Sequence, residues 1–411
     1  MKQQFDVFVG IDWGSEQHRV CVVNPDGDIV DQKWIEHSGQ SLAELVTWLR
    51  SKTSASPGKI AIAIELPRGP VVETLMEQGF AVFSINPKQL DRFRDRYSPA
   101  GAKDDSRDAF VLGDSLRTDM HCFHAVRLDE PAVIRLRELS RLDEDLRQEQ
   151  NRLQNQLREQ WHRYFPQLLK LSSAADEPWV WDLFQAAPLP AKAAKLPESR
   201  IQRILSKNRI RRIDAPKVHA ILAATPLAVA PGAAEAASEH ALLLLPRLRL
   251  LQQQRGGIAK KLDVVLEQLA TPDQTSGEPV EHRDAEVLLS LPGVGRQIAA
   301  TMLGEASQAI AERDYHGLRC YTGAAPITRQ SGKKKIVLMR QGCNERLRNA
   351  LYHWARVSVV CDPKSKAQYA EMRHKGQSHG RALRGIADRW LDVLISMLTH
   401  HTLYDPKRRA A

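Results

Sequence analysis

The stretch FDVFVGI at residues 5–11, followed at once by Asp12, Trp13 and Gly14, decides the fold class. A short apolar run bounded by glycine reads as a buried strand, and this one ends on a carboxylate. Residues 18–23 read as a second strand, and the turn Asn24-Pro25-Asp26-Gly27 leads to a third near residues 29–35. Two short connections make the three an antiparallel meander. Beyond Ser41, the positions Leu42, Leu45, Val46 and Leu49 share one helix face. KIAIAIEL, residues 59–66, predicts a fourth strand, with a helix at 69–78, a fifth strand at 80–85 and a helix at 105–117.

Three antiparallel strands, then alternating helices and parallel strands, is the order of an RNase H-like (RuvC-like) mixed sheet, so the fold class is α/β followed by α. Farther on the pattern changes. Leu139, Leu142, Leu146, Leu153, Leu157, Trp161, Tyr164 and Leu168 step at helical spacing, as do Leu248, Leu251, Arg255, Ile258, Leu262, Val265 and Leu269. Both predict long helices with a coiled-coil seam, paired with each other or with another subunit. Between them, residues 172–238 are rich in Ala and Pro and carry Arg203, Lys207, Arg209, Arg211, Arg212 and Lys217. The expected division is 1–125, a helical middle at 126–281 ending in a linker from 271 to 281, a mainly helical module at 282–405, and a basic, frayed tail at 406–411.

Length and charge narrow the function. The 411 residues exceed one ordinary domain, and 59 Lys and Arg against 49 Asp and Glu give a net charge of +10, which favours a polyanionic partner. Five scattered cysteines without a C-x-x-C pair argue against a disulfide framework or zinc ribbon, and His121, Cys122 and His124 lack a second ligand cluster. No membrane-length apolar run or signal peptide is present in the sequence, which predicts a cytoplasmic protein with no membrane partner.

Three constellations carry chemistry. Asp12 and Glu65 end the first and fourth strands, while Asp105 and Asp108 share a helix face. An RNase H-like sheet brings such strand ends side by side under a later helix. Divalent cations resolve the repulsion of four carboxylates, Mg²⁺ favours such oxygen-rich sites, and a pair of ions about 3.5–4 Å apart clamps a phosphodiester. Each acid taken alone reads better as a helix cap or a solvated charge, and only the set of four at matching element ends favours function. Second, Pro292, Gly293, Val294 and Gly295 form a turn between two helices, a phosphate site of the helix-hairpin-helix kind or an ordinary tight hairpin. Third, Ser331 and Gly332 sit among Arg329, Lys333, Lys334, Lys335 and Arg340 on an exposed cationic loop, with Arg346 and Arg348 beyond. Composition alone makes this loop a phosphate binder, and nothing nearby identifies a base for Ser331.

Together these motifs resemble the DEDD-type insertion-sequence transposases, a family related to the Piv DNA invertases whose members use a bridge RNA to choose DNA sites. The resemblance covers the first 120 or so residues and again 284–360. Asp12 in its Gly-Ile-Asp context matches the first family acid and Glu65 the second. Lys103 to Ala109 matches a Lys-Thr-Asp-x-x-Asp-Ala motif, assigning the last two acids to Asp105 and Asp108. Pro292 to Gly295 matches the Pro-Gly-x-Gly turn, and Ser331-Gly332 the Ser-Gly that supplies the nucleophile. Asp104 departs from the usual threonine, and Leu66 to Gly69 departs from the usual Pro-Thr/Ser-Gly. The resemblance implies a recombinase in a bacterial nucleoid that cuts and rejoins DNA through a 5′-phosphoserine. It further implies Mg²⁺ on the four acids, a structured guide RNA, and a homo-oligomer, dimer or tetramer. A hydrolytic RNase H-like junction nuclease and an inactive nucleic-acid-binding relic are the alternatives.

Overall fold

The computed structural model describes residues 5–52, 55–97, 104–271, 282–332 and 334–410, and the chain divides into two compact units, 1–129 and 130–411. Lys103, Lys333 and most of the expected linker lie outside the described residues.

In the first unit the strands are β1 (Val7–Asp12), β2 (Gln17–Val23), β3 (Ile29–Glu36), β4 (Ile60–Ile64), β5 (Ala81–Ser84) and β6 (His124–Ala125). The helices are α1 (Gly39–Lys52), α2 (Pro70–Glu77), α3 (Pro87–Tyr97) and α4 (Asp105–Thr118). The sheet order is β3-β2-β1-β4-β5-β6. β1, β2 and β3 form the antiparallel meander, β4 and β5 run parallel to β1, and β6 returns antiparallel. This agrees with the RNase H-like expectation. Alternation along the strands sends Val9, Ile11, Val20 and Val22 to one face, with Leu45 and Leu49 of α1. Phe8, Cys21 and Val23 go to the other, with Ala109, Leu112 and Leu116 of α4. β4 is buried throughout, as a central parallel strand must be.

The second unit is built on α5 (Pro131–Tyr164) and α11 (Ala233–Ala270), which pack along each other. Leu136 meets Ile258, Leu262 and Val265 in one core, while Leu153 and Leu157 share another with Leu244, Leu248 and Leu251, so the pair is antiparallel. Most residues of both seams are buried within the chain. Leu142, expected in the seam, is instead 47% exposed. Arg255 holds its seam position because Asp143, 3.1 Å away, and Gln150, 2.9 Å away, accept from it.

The segment between the long helices folds into α6 (Gln167–Leu171), α7 (Pro178–Ala186), α8 (Pro190–Ala193), α9 (Glu198–Lys207) and α10 (Ala215–Leu222). Its Trp179, Trp181 and Phe184 join Trp161 of α5 in a core shared with the long helices. The C-terminal helices are α12 (Asp284–Ser290), α13 (Arg296–Glu305), α14 (Ser307–Ala311), α15 (Tyr315–Tyr321), α16 (Glu345–Cys361), α17 (Pro363–His374) and α18 (His379–Thr399). They share a core with α5 and α11, with Trp354 and Trp390 buried against each other. The expected cationic loop is a β-hairpin, β7 (Ile327–Ser331) and β8 (Lys334–Leu338), and the tail expected to fray forms α19 (Pro406–Ala410). Among the described residues no helix is long and apolar enough to cross a membrane.

Candidate nucleic-acid active site

The acids of the first unit are brought together by strand register. β1 and β4 pair in parallel with Ile11 beside Ile64, so Asp12 and Glu65 leave the sheet as neighbours. α4 lies on the same face. A Cβ at Gly10 would stand 1.9 Å from the Ala109 carbonyl oxygen and 2.5 Å from the Gly113 nitrogen, so only glycine lets the helix this close. Asp104 caps α4, its side chain accepting from the Ser106 N–H at 3.3 Å, which gives the departure from threonine a structural role. Asp105 and Asp108 fall in the first turn, where the helix N-terminus favours negative charge.

Asp108 is buried. Its Oδ1 accepts from Arg94 Nε at 2.9 Å, and its Oδ2 has no partner. Arg94, on α3, also donates to Asp91 at 2.7 Å and stands 4.0 Å from Glu65. Burial, then the charges of Asp108 and Asp105, push the Asp12 carboxyl up to about 6, with Arg94 acting in the opposite sense. A buried carboxylate oxygen with no donor is the kind of group that a hard divalent cation takes. Yet among the described residues no three acidic, imidazole or thiol side chains stand close enough to hold one ion. The guanidinium that bridges Asp108 and Glu65 occupies the role a cation would have. Arg94 was not picked out from the sequence, because Arg92, Arg94 and Arg96 look alike on a basic helix and only the fold selects among them. His121, Cys122 and His124 form no metal group either.

In the second unit, the turn from Leu291 to Gly295 joins α12 and α13 as expected, but its residues divide the labour. Pro292 gives its carbonyl to Trp354 Nε1 at 3.1 Å. Gly293, at φ 83°, presses on α16, where a Cβ would lie 3.1 Å from the Ser358 nitrogen. Val294 is buried. Gly295 alone faces open space at the start of α13. The turn borders a cavity of about 860 Å³ lined also by Arg147, Arg255 and Arg296.

The hairpin places Ser331 opposite Lys334 and Arg329 opposite Ile336. Directly opposed residues share a face, so Arg329 and Lys334 flank Ser331 while Lys335, paired with Gln330, points to the other side. Ser331 is exposed, and Gly332 takes φ 54° at the turn. Arg340 is partly engaged, donating to the Ala325 carbonyl at 3.2 Å. Arg211 and Arg212 are exposed beside α10, and Arg212 pairs with Glu177.

Residues 9–166 match the DEDD transposase model of the IS110 group, and residues 285–370 match the model described as transposase, IS116/IS110/IS902 family. A Streptomyces coelicolor protein, provisionally named the mini-circle transposase of IS117, is 30% identical over 98% of this chain and 97% of its own length. A Sinorhizobium fredii protein provisionally named transposase y4uE is 50% identical, over 53% of this chain and 60% of its own length. The 42 kDa protein of insertion element IS900 from Mycobacterium paratuberculosis is 26% identical across 98% of each chain. The chain belongs to the IS110 family of transposases.

Proposed function

We propose that this transposase cuts and rejoins DNA through a covalent phosphoserine formed by Ser331, with Asp12, Glu65, Asp105 and Asp108 as the acidic half of the machinery. Two observations support the proposal: the register that sets Asp12 beside Glu65, and the buried, partnerless carboxylate oxygen of Asp108, whose charge acts on Asp12. When bound there, Mg²⁺ supplies charge stabilisation for the phosphorane-like transition state. Ser331 Oγ attacks phosphorus, the bond to the 3′ oxygen breaks, and the serine proton ends on the departing 3′-hydroxyl. The phosphodiester energy is kept in the 5′-phosphoserine ester, so reversal by another 3′-hydroxyl religates without ATP. Arg329 and Lys334, on the serine's own face, hold the phosphate and offset its developing charge.

The acids and Ser331 belong to separate units, so the proposal requires both to act on one phosphodiester. A homo-oligomer and a structured guide RNA fit a strongly basic chain of this family, with RNA pairing choosing the sites and the protein reading backbone and shape. Ser331→Ala tests the mechanism. Labelled DNA mixed with Mg²⁺ and the wild type should give a protein adduct on a denaturing gel, and the variant should give neither adduct nor cut ends. Normal cutting by Ser331→Ala would leave a hydrolytic nuclease instead.

A further inference from the structure

The acid-bearing face of the sheet continues past Asp12 onto β2 and β3, where it carries Arg19 and Trp34. Asp12 pairs with Arg19, and Arg19 pairs with Trp34, so the three side chains form one row across the sheet. Gly10, Cys21 and Gln32 form the row behind it. With strands roughly 4.8 Å apart, Trp34 stands about 10 Å from Asp12, within reach of the nucleotides adjoining a phosphodiester held at the acids.

Each member of the row departs from what a structural role would ask. β3 is the edge strand, and Trp34 is 45% exposed there. Arg19 lies with its guanidinium 5.2 Å from the indole centroid and donates to Gln32, but its Nε has no acceptor. Among the described residues no carboxylate pairs with it, although Asp12 is its cross-strand neighbour. An unneutralised guanidinium lying against an exposed indole offers a phosphate contact beside an aromatic platform for a base.

We infer that Arg19 and Trp34 form a nucleotide subsite: a DNA strand leaving the acid cluster sets a phosphate against Arg19 and stacks an unpaired base on Trp34. This rests on the proposed function for where the phosphodiester lies. The occupant is a nucleic-acid strand rather than a protein because the row sets a guanidinium beside an exposed aromatic ring and is continuous with the acids. Stacking on one face also explains why the indole is left uncovered at a sheet edge, where an exposed tryptophan otherwise invites pairing with other chains.

The test uses the full chain and single-stranded DNA carrying one 5-iododeoxyuridine at successive positions. Irradiation should crosslink one or two of these positions to the peptide containing Trp34. Trp34→Phe should keep the crosslink and Trp34→Ala should lose it. By fluorescence anisotropy, Trp34→Ala should bind the oligonucleotide roughly five- to a hundred-fold more weakly, the range of one base–aromatic stack. Arg19→Met should flatten the log–log salt dependence by about 0.7, one phosphate contact on a single strand, while Arg19→Lys retains most of the slope. Crosslinks that map elsewhere, with Trp34→Ala binding within about twofold of wild type, overturn the subsite and leave the proposed function intact. A matching RNA strand that crosslinks to Trp34 in preference to DNA overturns the choice of ligand. A wild-type chain that binds no DNA defeats both readings.

Discussion

Arg94→Gln removes a cation that pairs with one of the candidate acids, and its effect should depend on whether a divalent ion is present. The guanidinium is 2.9 Å from Asp108 and 4.0 Å from Glu65, and three-quarters of its side chain is buried. At an effective dielectric of about 20 the attraction to Asp108 alone is roughly 6 kcal/mol gross. Desolvation of both partners offsets much of that, and stranding a buried carboxylate costs about 3–5 kcal/mol in comparable pairs. With Arg94 a quarter exposed, a loss of about 2–3 kcal/mol is expected in EDTA, or about 6–12 °C in the melting of a unit this size. Mg²⁺ should restore most of it, because the variant presents the same acids without a competing guanidinium, and its metal-induced rise should exceed that of the wild type. The assay is thermal unfolding of both proteins in EDTA and in saturating Mg²⁺, with Mn²⁺ binding followed by the loss of the free-ion resonance signal. An equal loss in both media, or unchanged or weaker Mn²⁺ affinity in Arg94→Gln, would refute the idea that the arginine holds the place of a cation.

Other outcomes follow from the same geometry. Because the folded Asp12 carboxyl titrates near 6 rather than 3.8, the metal-free folded chain holds a proton between about pH 4 and 6 that the unfolded chain has released; the stability contributed by this group should therefore fall as pH rises through that window, and Asp12→Asn should remove the trend from a pH series of melting curves. Mn²⁺ affinity should rise over the same interval as the proton leaves. Gly293→Ala should cost about 1–3 kcal/mol, from positive φ and pressure on α16, whereas Gly295→Ala should melt within about 0.5 kcal/mol of wild type yet bind duplex DNA more weakly; equal stability of the two would remove the division of labour. Leu262→Asp places a charge in a core closed within the chain, so circular dichroism should show unfolding; a folded, dissociated monomer would mean that the seam joins copies instead.

Much of the first unit was legible because its determinants are local. The apolar run ending at Asp12, the turn at Asn24 to Gly27 and the fully apolar β4 each fix an element, and strand order then places Asp12 beside Glu65. What escaped was pairwise and tertiary. Arg94 is one of three like residues on α3, and its partner Asp108 comes from another helix. The Ser331 strands escaped because β7 and β8 are almost wholly exposed, so no alternation of apolar and polar residues marks them. The same exposure hid that Lys335 faces away from Ser331. Periodicity found both long helices but not their partner, since a leucine seam looks the same whether it meets its own chain or another copy. Composition described the alanine-rich insertion without showing that Trp179, Trp181, Leu183 and Phe184 join the apolar residues of α5 and α11 in one core.

The bare contact between Gly10 and α4 gives a criterion for sorting genomic copies of this element. Gly113 answers Gly10 from the helix, its own Cβ position lying 3.0 Å from the Gly10 nitrogen, so two backbones meet with no side chain between them. The spacing from Asp12 to Asp108 is thus set by the absence of atoms, and no compensating change in the surrounding core can shrink it further. A copy that has acquired even a methyl group at position 10 must lift the helix, and with it half of the acids, while every carboxylate still reads as intact. If the four acids act as proposed, such copies should fail to cut DNA, although a count of the acids alone would score them as intact.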